Sequence, residues 1–236
     1  MSYYDDFAKF GDALAAVSAE GATLTYRQLA DYANLIGGHI PARSLVFCFC
    51  KNVIGSMAGY LSFLRNRIVP LMVDAAINET LAGNLMEVYK PQYLYLPSEL
   101  AEKYKDMDTV CSQFDYTLLK TNYDKAYPLN DELGLLLTTS GSTGSPKLVR
   151  QSYVNIQSNA EAIAAYLEID ENERPVTTLP MNYTYGLSII NSHVLKGATV
   201  LLTTSTVVAK DFWSFMKEER ATSFGGVPYT YEMLKR

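Results

Sequence analysis

The sequence predicts an α/β fold with mostly parallel sheets flanked by helices, and two observations carry this prediction. Short apolar runs alternate with longer segments of helical spacing along most of the 236 residues, and the connections between them are short. Residues 45–50 are apolar at every position, which is typical of a strand buried on both faces of a parallel sheet. The chain is also long enough to bury a substantial core.

The first half of the chain supplies three predicted helices. Thr25 to Gln28 has the spacing of a capping box, and predicts a helix that reaches about Ile36 and stops near Gly37 and Gly38. Asn52 is predicted to cap an amphipathic helix over 53–64, and Asn78 to begin a helix that ends at 89. The strands predicted between these helices cover residues 45–50, 68–73 and 93–96.

The second half continues the alternation after a more polar stretch, residues 99–130, whose order is left open. Strands are predicted at 133–137, 176–179, 199–203 and 223–225. Helices are predicted at 152–167, 185–195, 212–219 and 228–235. No linker clearly separates two domains.

Composition excludes several classes of function. The net charge of -5 argues against a nucleic-acid-binding surface, which needs clustered Lys and Arg. No apolar run approaches the roughly 18 residues of a membrane span, and no secretory signal is visible, so we expect a cytoplasmic protein. Cys48 and Cys50 are expected to be buried free thiols on one strand face, and the sequence contains no zinc or iron motif.

The central feature is the segment Thr139 to Lys147, called the phosphate loop below, which follows a predicted buried strand. Its hydroxyls and backbone N–H groups can donate to phosphate oxygens, its glycines allow a concave backbone, and its lysine adds a positive charge. Pro146 stands where a Walker A loop needs glycine, which disfavours a P-loop phosphotransferase. The segment therefore predicts binding of a nucleotide's phosphates.

The phosphate loop resembles the motif T-S-G-[ST]-T-G-x-P-K-G of the AMP-forming adenylating enzymes, which include acyl-CoA synthetases, peptide-synthetase adenylation domains and luciferases. Nine of the ten positions match, and Leu148 replaces the last glycine. Residues 24–29, 64–71, 179–186 and 225–228 resemble further family segments in the same order. Tyr183 stands where the family usually has histidine.

The resemblance implies ATP-dependent conversion of a small-molecule carboxylic acid to an acyl-adenylate, followed by thioester formation with CoA or the pantetheine of an acyl carrier protein. ATP and Mg²⁺ would be required, with no metal site built from protein side chains. Lys147 and Tyr183 would be catalytic, although Tyr183 could equally be an ordinary half-buried aromatic. The phosphates would be bound by Thr139, Ser140, Gly141, Ser142, Thr143, Gly144 and Lys147, and the acyl pocket would include Asn182, Tyr183, Gly186, Val227 and Pro228.

Three family elements are not found in the sequence: the Y-G-x-T-E segment, the ribose-binding aspartate and the small C-terminal domain with its lysine. We therefore expect residues 1–236 to be a truncated N-terminal AMP-binding domain that is inactive alone and prone to self-association. The alternative is a non-catalytic nucleotide-binding module or truncated pseudoenzyme. Residues 180–183 lack the F-D-x-S pattern of amino-acid-activating relatives, which favours a simple acid. His193 and His39 are predicted to be structural, the latter in a turn.

Overall fold

The protein is described by a computed structural model that covers residues 2–124, 128–138 and 148–235. The predicted α/β class is confirmed. The helices are α1 Tyr26–His39, α2 Ile54–Arg65, α3 Glu79–Tyr89, α4 Tyr153–Tyr166, α5 Thr184–Lys196, α6 Lys210–Glu218 and α7 Pro228–Met233. The strands are β1 Leu14–Ser18, β2 Thr23–Thr25, β3 Leu45–Cys50, β4 Val69–Asp74, β5 Tyr93–Pro97, β6 Asp108–Gln113, β7 Tyr116–Lys120, β8 Leu133–Thr138, β9 Leu148–Ser152, β10 Pro175–Val176, β11 Val200–Leu202 and β12 Ser223–Phe224.

The chain divides into two compact units. The first unit comprises residues 1–30, 52–54 and 157–236, and the second comprises residues 31–51 and 55–156. The division falls inside α1 and α4 and after the first residue of α2, so each of these helices contributes residues to both units. In the described part of the chain, each unit contains one sheet.

The second unit is built on a seven-stranded sheet of order β6-β7-β5-β3-β4-β8-β9. Its central strands β5, β3, β4 and β8 pair in parallel, and every residue of β3 is buried, as its uninterrupted apolar sequence predicts. The pairings toward the edges, β5 with β7, β7 with β6 and β8 with β9, are antiparallel. The sheet is therefore parallel at its centre and mixed overall.

The first unit contains a five-stranded sheet of order β12-β10-β11-β1-β2, which is parallel except for the β1–β2 hairpin. Helix α6 covers it with the buried rings of Phe212 and Phe215, which join a core formed with Val17, Val176 and Leu201. The apolar residues of α6 lie on one helical face, which accounts for this placement.

The capping predictions for α1 and α3 are confirmed. Thr25 Oγ1 accepts a hydrogen bond from the Gln28 amide at 3.1 Å, while Gln28 Oε1 accepts one from the Thr25 amide at 2.8 Å. Asn78 Oδ1 accepts from the amides of Thr80 at 2.9 Å and Leu81 at 3.3 Å. Each side chain satisfies backbone donors that a helix start leaves unpaired.

Helix α1 was predicted to stop at its glycine pair, but it continues to His39. A Cβ atom on Gly37 would lie 2.2 Å from Asn66 Oδ1, so glycine serves close packing here rather than helix termination. The side-chain Nδ2 of Asn66 donates to the carbonyl of Ala33 at 2.7 Å. His39 is accordingly the last helical residue, and its assignment to a turn was wrong.

Helix α2 is also different from its prediction as amphipathic, because residues 54–64 are all buried. Gly55 and Gly59 let the helix approach aromatic rings closely: a Cβ on Gly59 would lie 2.1 Å from the Tyr95 ring, and one on Gly55 would lie 2.5 Å from the Tyr116 ring. The Tyr95 hydroxyl donates to the Gly55 carbonyl at 2.6 Å. The helix is therefore buried on all sides.

Two hairpins were not predicted. Strands β6 and β7 lie in the stretch whose order was left open, and they are joined at Phe114 and Asp115, which have φ values of 54° and 58°. Two-residue hairpin turns usually have the sequence Asn-Gly or Asp-Gly, and this turn lacks such a sequence signal. The β1–β2 hairpin turns through Gly21, with φ of 84°.

No described helix combines the length and apolar character of a membrane span.

Candidate functional site

The phosphate loop lies outside the described residues, so the predicted roles of its members remain predictions. Its two flanking residues are described. Thr138 ends β8 and Leu148 begins β9, and these residues are register partners in an antiparallel pair. Strand β8 has four buried residues and pairs in parallel with β4. The candidates outside the described residues are Thr139, Ser140, Gly141, Ser142, Thr143, Gly144 and Lys147.

The other candidate residues belong to the first unit, and Tyr183 lies at the start of α5. The Tyr183 amide donates to the carbonyl of Pro180 at 3.1 Å, which closes a turn, and its own carbonyl accepts from the Leu187 amide at 3.0 Å. The extended backbone of Tyr183, with φ of -114° and ψ of 135°, makes it the N-cap residue without a side-chain capping hydrogen bond. Its side chain is 46% exposed, so the ring is available to a ligand.

Gly186 fixes the close approach between this turn and α5. A Cβ atom at this position would lie 2.3 Å from the carbonyl oxygen of Pro180 and 2.8 Å from that of Leu179. Real Cβ contacts do not occur at such distances, so any larger residue would have to move the backbone. Gly186, predicted as a pocket residue, therefore sets the shape of the turn that carries Asn182 and Tyr183.

The structure brings the second predicted segment, residues 225–228, against the first turns of α5. A Cβ on Gly225 would lie 2.5 Å from Ile189 Cδ1 and 3.2 Å from the Tyr185 hydroxyl. The Thr178 hydroxyl donates to the Gly225 carbonyl. Val227 follows as the N-cap residue of α7, and Pro228 is its first residue, a position that suits proline.

Two predicted pocket segments thus meet within the first unit, through residues that the sequence did not single out. The side chains that make this contact are those of Tyr185 and Ile189 in α5 and of Thr178. The Gly225–Gly226 doublet was the available signal, because adjacent glycines often mark close backbone approach. The partner of such a contact cannot be read from spacing, because it comes from a segment about 40 residues away in the chain.

Asn52 also contacts this region, and its prediction as a helix cap was wrong. Its Nδ2 donates to the carbonyl of Leu179 at 3.1 Å. Its Oδ1 is buried and has no hydrogen-bond donor among the described residues, and the same holds for Asn182 Oδ1. Unpaired buried acceptors are uncommon in folded proteins, and they often receive a bond from water or a ligand.

The predicted structural role of His193 agrees with its surroundings. The ring is buried in α5, and its Nδ1 lies 2.7 Å from the Ile189 carbonyl oxygen, to which the neutral ring donates. Burial lowers the pKa of His193, which favours that neutral form. Cys48 and Cys50 are buried free thiols, as expected. Within residues 2–124, 128–138 and 148–235, no group of three or more His, Cys, Asp or Glu side chains is arranged to hold a metal ion.

Comparison with known proteins gives consistent matches in sequence and in fold. The profile of the family described as AMP-binding enzyme matches residues 4–236. The chain is 30% identical over 106 residues to an oxalate–CoA ligase of Arabidopsis thaliana, which covers 44% of this chain and 21% of the relative. It is 37% identical over 78 residues to a 2-succinylbenzoate–CoA ligase of Bacillus velezensis, which covers 33% of this chain and 16% of that relative.

The fold is similar to that of O-succinylbenzoate coenzyme A synthetase from Bacillus subtilis, solved in complex with ATP and a magnesium ion. The TM-score is 0.77 at 18% sequence identity, and the match covers 99% of this chain and 65% of that one. The chain therefore spans about two thirds of this solved structure, and its alignments cover 21% and 16% of the two curated relatives.

Proposed function

The chain belongs to the family of AMP-binding enzymes, and from this premise we propose that its protein activates a carboxylic acid with ATP. The acid is converted to an acyl-adenylate with release of pyrophosphate, and the acyl group then passes to a thiol. The match of the family profile to residues 4–236 is the observation that carries this proposal. The names of both curated relatives, each a CoA ligase of a carboxylic acid, favour CoA as the thiol over a carrier protein.

The donor chemistry of the phosphate loop suits the triphosphate of ATP. The serine and threonine hydroxyls and the Lys147 ammonium can donate hydrogen bonds to phosphate oxygens. The loop sequence connects two neighbouring strands, of which β8 is buried and pairs with the centre of its sheet. Mg²⁺ would neutralise part of the phosphate charge, and it usually binds through substrate phosphates, water and only one or two protein ligands.

The first half-reaction forms one bond and breaks one. A carboxylate oxygen of the acid attacks the α-phosphorus of ATP, and the bond from that phosphorus to the bridging oxygen of the β-phosphate breaks as pyrophosphate leaves. Lys147 and the loop hydroxyls would bind the β- and γ-phosphates, hold the α-phosphorus in line and stabilise the charge on the leaving group. One lysine–phosphate pair at about 4 Å is worth on the order of 4 kcal/mol before desolvation is subtracted.

The second half-reaction transfers the acyl group to sulfur. The thiol sulfur attacks the acyl carbon, the bond from that carbon to the AMP oxygen breaks, and the thiol proton passes to solvent or a base. AMP is a far better leaving group than the oxide of a free carboxylate, which is why activation comes first.

The acid would bind beside the turn that precedes α5. Asn182 and Tyr183 lie in this turn, Gly186 sets its shape, and the segment ending in Val227 and Pro228 packs near it through Gly225. The exposed ring of Tyr183 would form one wall of the acid site. The lack of an F-D-x-S pattern at residues 180–183 favours a simple acid over an amino acid.

Acid-dependent exchange of labelled pyrophosphate into ATP tests the proposal directly, because exchange requires reversible adenylate formation without the thiol. The protein as its gene encodes it is assayed with a panel of aliphatic, aromatic and dicarboxylic acids and amino acids. We expect exchange with one group of acids and none without acid. ATP binding with no exchange for any acid would instead support a non-catalytic nucleotide-binding module.

A further inference from the structure

Asn52 makes a hydrogen bond that links two distant parts of the first unit. It follows β3 in the chain, and its Nδ2 donates over 3.1 Å to the carbonyl of Leu179, 127 positions away. Residues 52–54 group with the first unit, although β3 before them and most of α2 after them belong to the second. The side chain is therefore used for a long-range contact rather than for capping the helix that follows it.

The position of the Leu179 carbonyl affects the geometry of the candidate acid site. It immediately precedes the turn that the Tyr183 amide closes onto the Pro180 carbonyl, and it lies close to Gly186 in α5. A group that holds this carbonyl also sets the position of the turn. Asn52 is such a group, because its amide nitrogen is fixed as the donor by its acceptor partner.

The unpaired acceptors in this region give a second, independent reason to connect Asn52 with a ligand. Among the described residues near this turn, two buried carboxamide oxygens lack a donor. One is Oδ1 of Asn52, whose Nδ2 donates to the Leu179 carbonyl, and the other is Oδ1 of Asn182, three positions beyond Leu179. Leaving such oxygens unpaired is unfavourable, so a water molecule or a polar ligand group is expected to supply the missing donors.

We propose that Asn52 is a positioning residue for the acid site, acting through the Leu179 carbonyl on the turn that carries Asn182 and Tyr183. This inference rests on the proposed function, since it assigns Asn52 to the acid rather than to ATP. Removal of the donor should let the turn shift and should weaken acid binding. The Michaelis constant for ATP should stay unchanged, because the turn is proposed to contact the acid and not the phosphates of ATP.

Asn52→Asp is the test variant, because it keeps the side-chain shape and replaces the donating nitrogen with an oxygen that the Leu179 carbonyl repels. Asn52→Ala is the second variant, in case the first fails to fold. Asn66→Asp is the matched control: Asn66 Nδ2 donates to the carbonyls of Ala33 at 2.7 Å and Ser62 at 2.9 Å, inside the second unit. It removes comparable bonds away from the candidate acid site.

Two measurements are made on the protein as its gene encodes it. In pyrophosphate exchange, Asn52→Asp should raise the KM for the acid about tenfold with the KM for ATP within about twofold of the native value, and Asn66→Asp should change neither. In hydrogen–deuterium exchange followed by mass spectrometry, peptides covering residues 179–187 should exchange about tenfold faster in Asn52→Asp than in Asn66→Asp.

Unchanged exchange of residues 179–187 in both Asn52 variants would overturn the proposal, as would equal changes in Asn66→Asp, which would mean general destabilisation. An increased KM for ATP with an unchanged KM for the acid would also overturn it. If the native protein shows no acid-dependent pyrophosphate exchange, the proposed function fails separately, and hydrogen exchange alone decides whether Asn52 positions the turn.

Discussion

The close approach at Gly186 gives a prediction whose magnitude follows from the structure. In Gly186→Ala the new methyl carbon would lie 2.3 Å from the Pro180 carbonyl oxygen, about 1 Å short of the 3.4 Å at which ordinary contact begins. The second contact, 2.8 Å to the Leu179 carbonyl oxygen, is also with backbone, so no flexible side chain can swing away. The turn itself must move.

Overpacking of this kind costs about 1–3 kcal/mol. The gain in helix propensity from glycine to alanine offsets at most about 1 kcal/mol, and less in the first turn of a helix. We therefore expect a net loss of about 1–2 kcal/mol in the free energy of unfolding. With an m value of about 3 kcal/mol/M in urea, the midpoint should fall by about 0.3–0.7 M.

Gly83→Ala is the matched control. Gly83 lies in α3, is exposed and has no atom within 4 Å of an added Cβ, so the same substitution should raise the midpoint slightly. Both variants are compared by urea titration followed by circular dichroism, and the KM for the acid is measured alongside. A Gly186→Ala variant that is as stable as Gly83→Ala and binds the acid normally would contradict the predicted clash with the turn.

Three further predictions concern charge and pH. Lys147→Ala should reduce kcat/KM for ATP by about 10- to 1000-fold with an unchanged urea midpoint, while Lys210→Ala, at the exposed first residue of α6, should change neither. Native kinetics in Lys147→Ala would remove the phosphate assignment. Burial lowers the pKa of His193 from 6.5, so as the pH falls the unfolded chain binds a proton at this residue before the folded chain does, and the free energy of unfolding should decrease below about pH 6.5. His193→Asn should flatten a plot of the urea midpoint against pH from 7.5 to 5.5, and a plot identical to that of the native protein would contradict this prediction. Arg43→Lys should lower the free energy of unfolding by about 1–3 kcal/mol, because one ammonium cannot replace a guanidinium that donates to the Leu133, Arg67 and Asn130 carbonyls and to a tyrosine hydroxyl. Arg27→Lys, at an exposed ion pair, should have little effect. Both variants are compared by thermal unfolding, and equal shifts would argue against the Arg43 network.

Local signals in the sequence predicted the central strands and the starts of α1 and α3 correctly. The apolar run of β3 predicts burial on both faces, and the caps at Thr25 and Asn78 predict helix starts, because each depends on residues close together in the chain. The phosphate loop is equally local, since its donors and glycines are consecutive. This is why the family could be expected from the sequence and is borne out by the profile match.

Errors arose where a distant residue decided the role of a local one. Gly37 has the local features of a helix stop, yet the approach of Asn66 makes it part of a continuing helix. Asn52 has the local features of a cap, yet its amide binds Leu179. A glycine or an asparagine can serve either purpose, and sequence spacing alone does not distinguish between them.

The sequence by itself determined the α/β class and the buried strands, and it identified the phosphate loop as a family motif, because all three depend on neighbouring residues. The tertiary structure alone decided that the segment around Gly225 packs on Tyr185 and Ile189, that Gly186 must lack a side chain, and that Asn52 holds the Leu179 carbonyl. Those contacts join residues tens of positions apart, and their geometry exists only once the sheet of the first unit has brought the segments together.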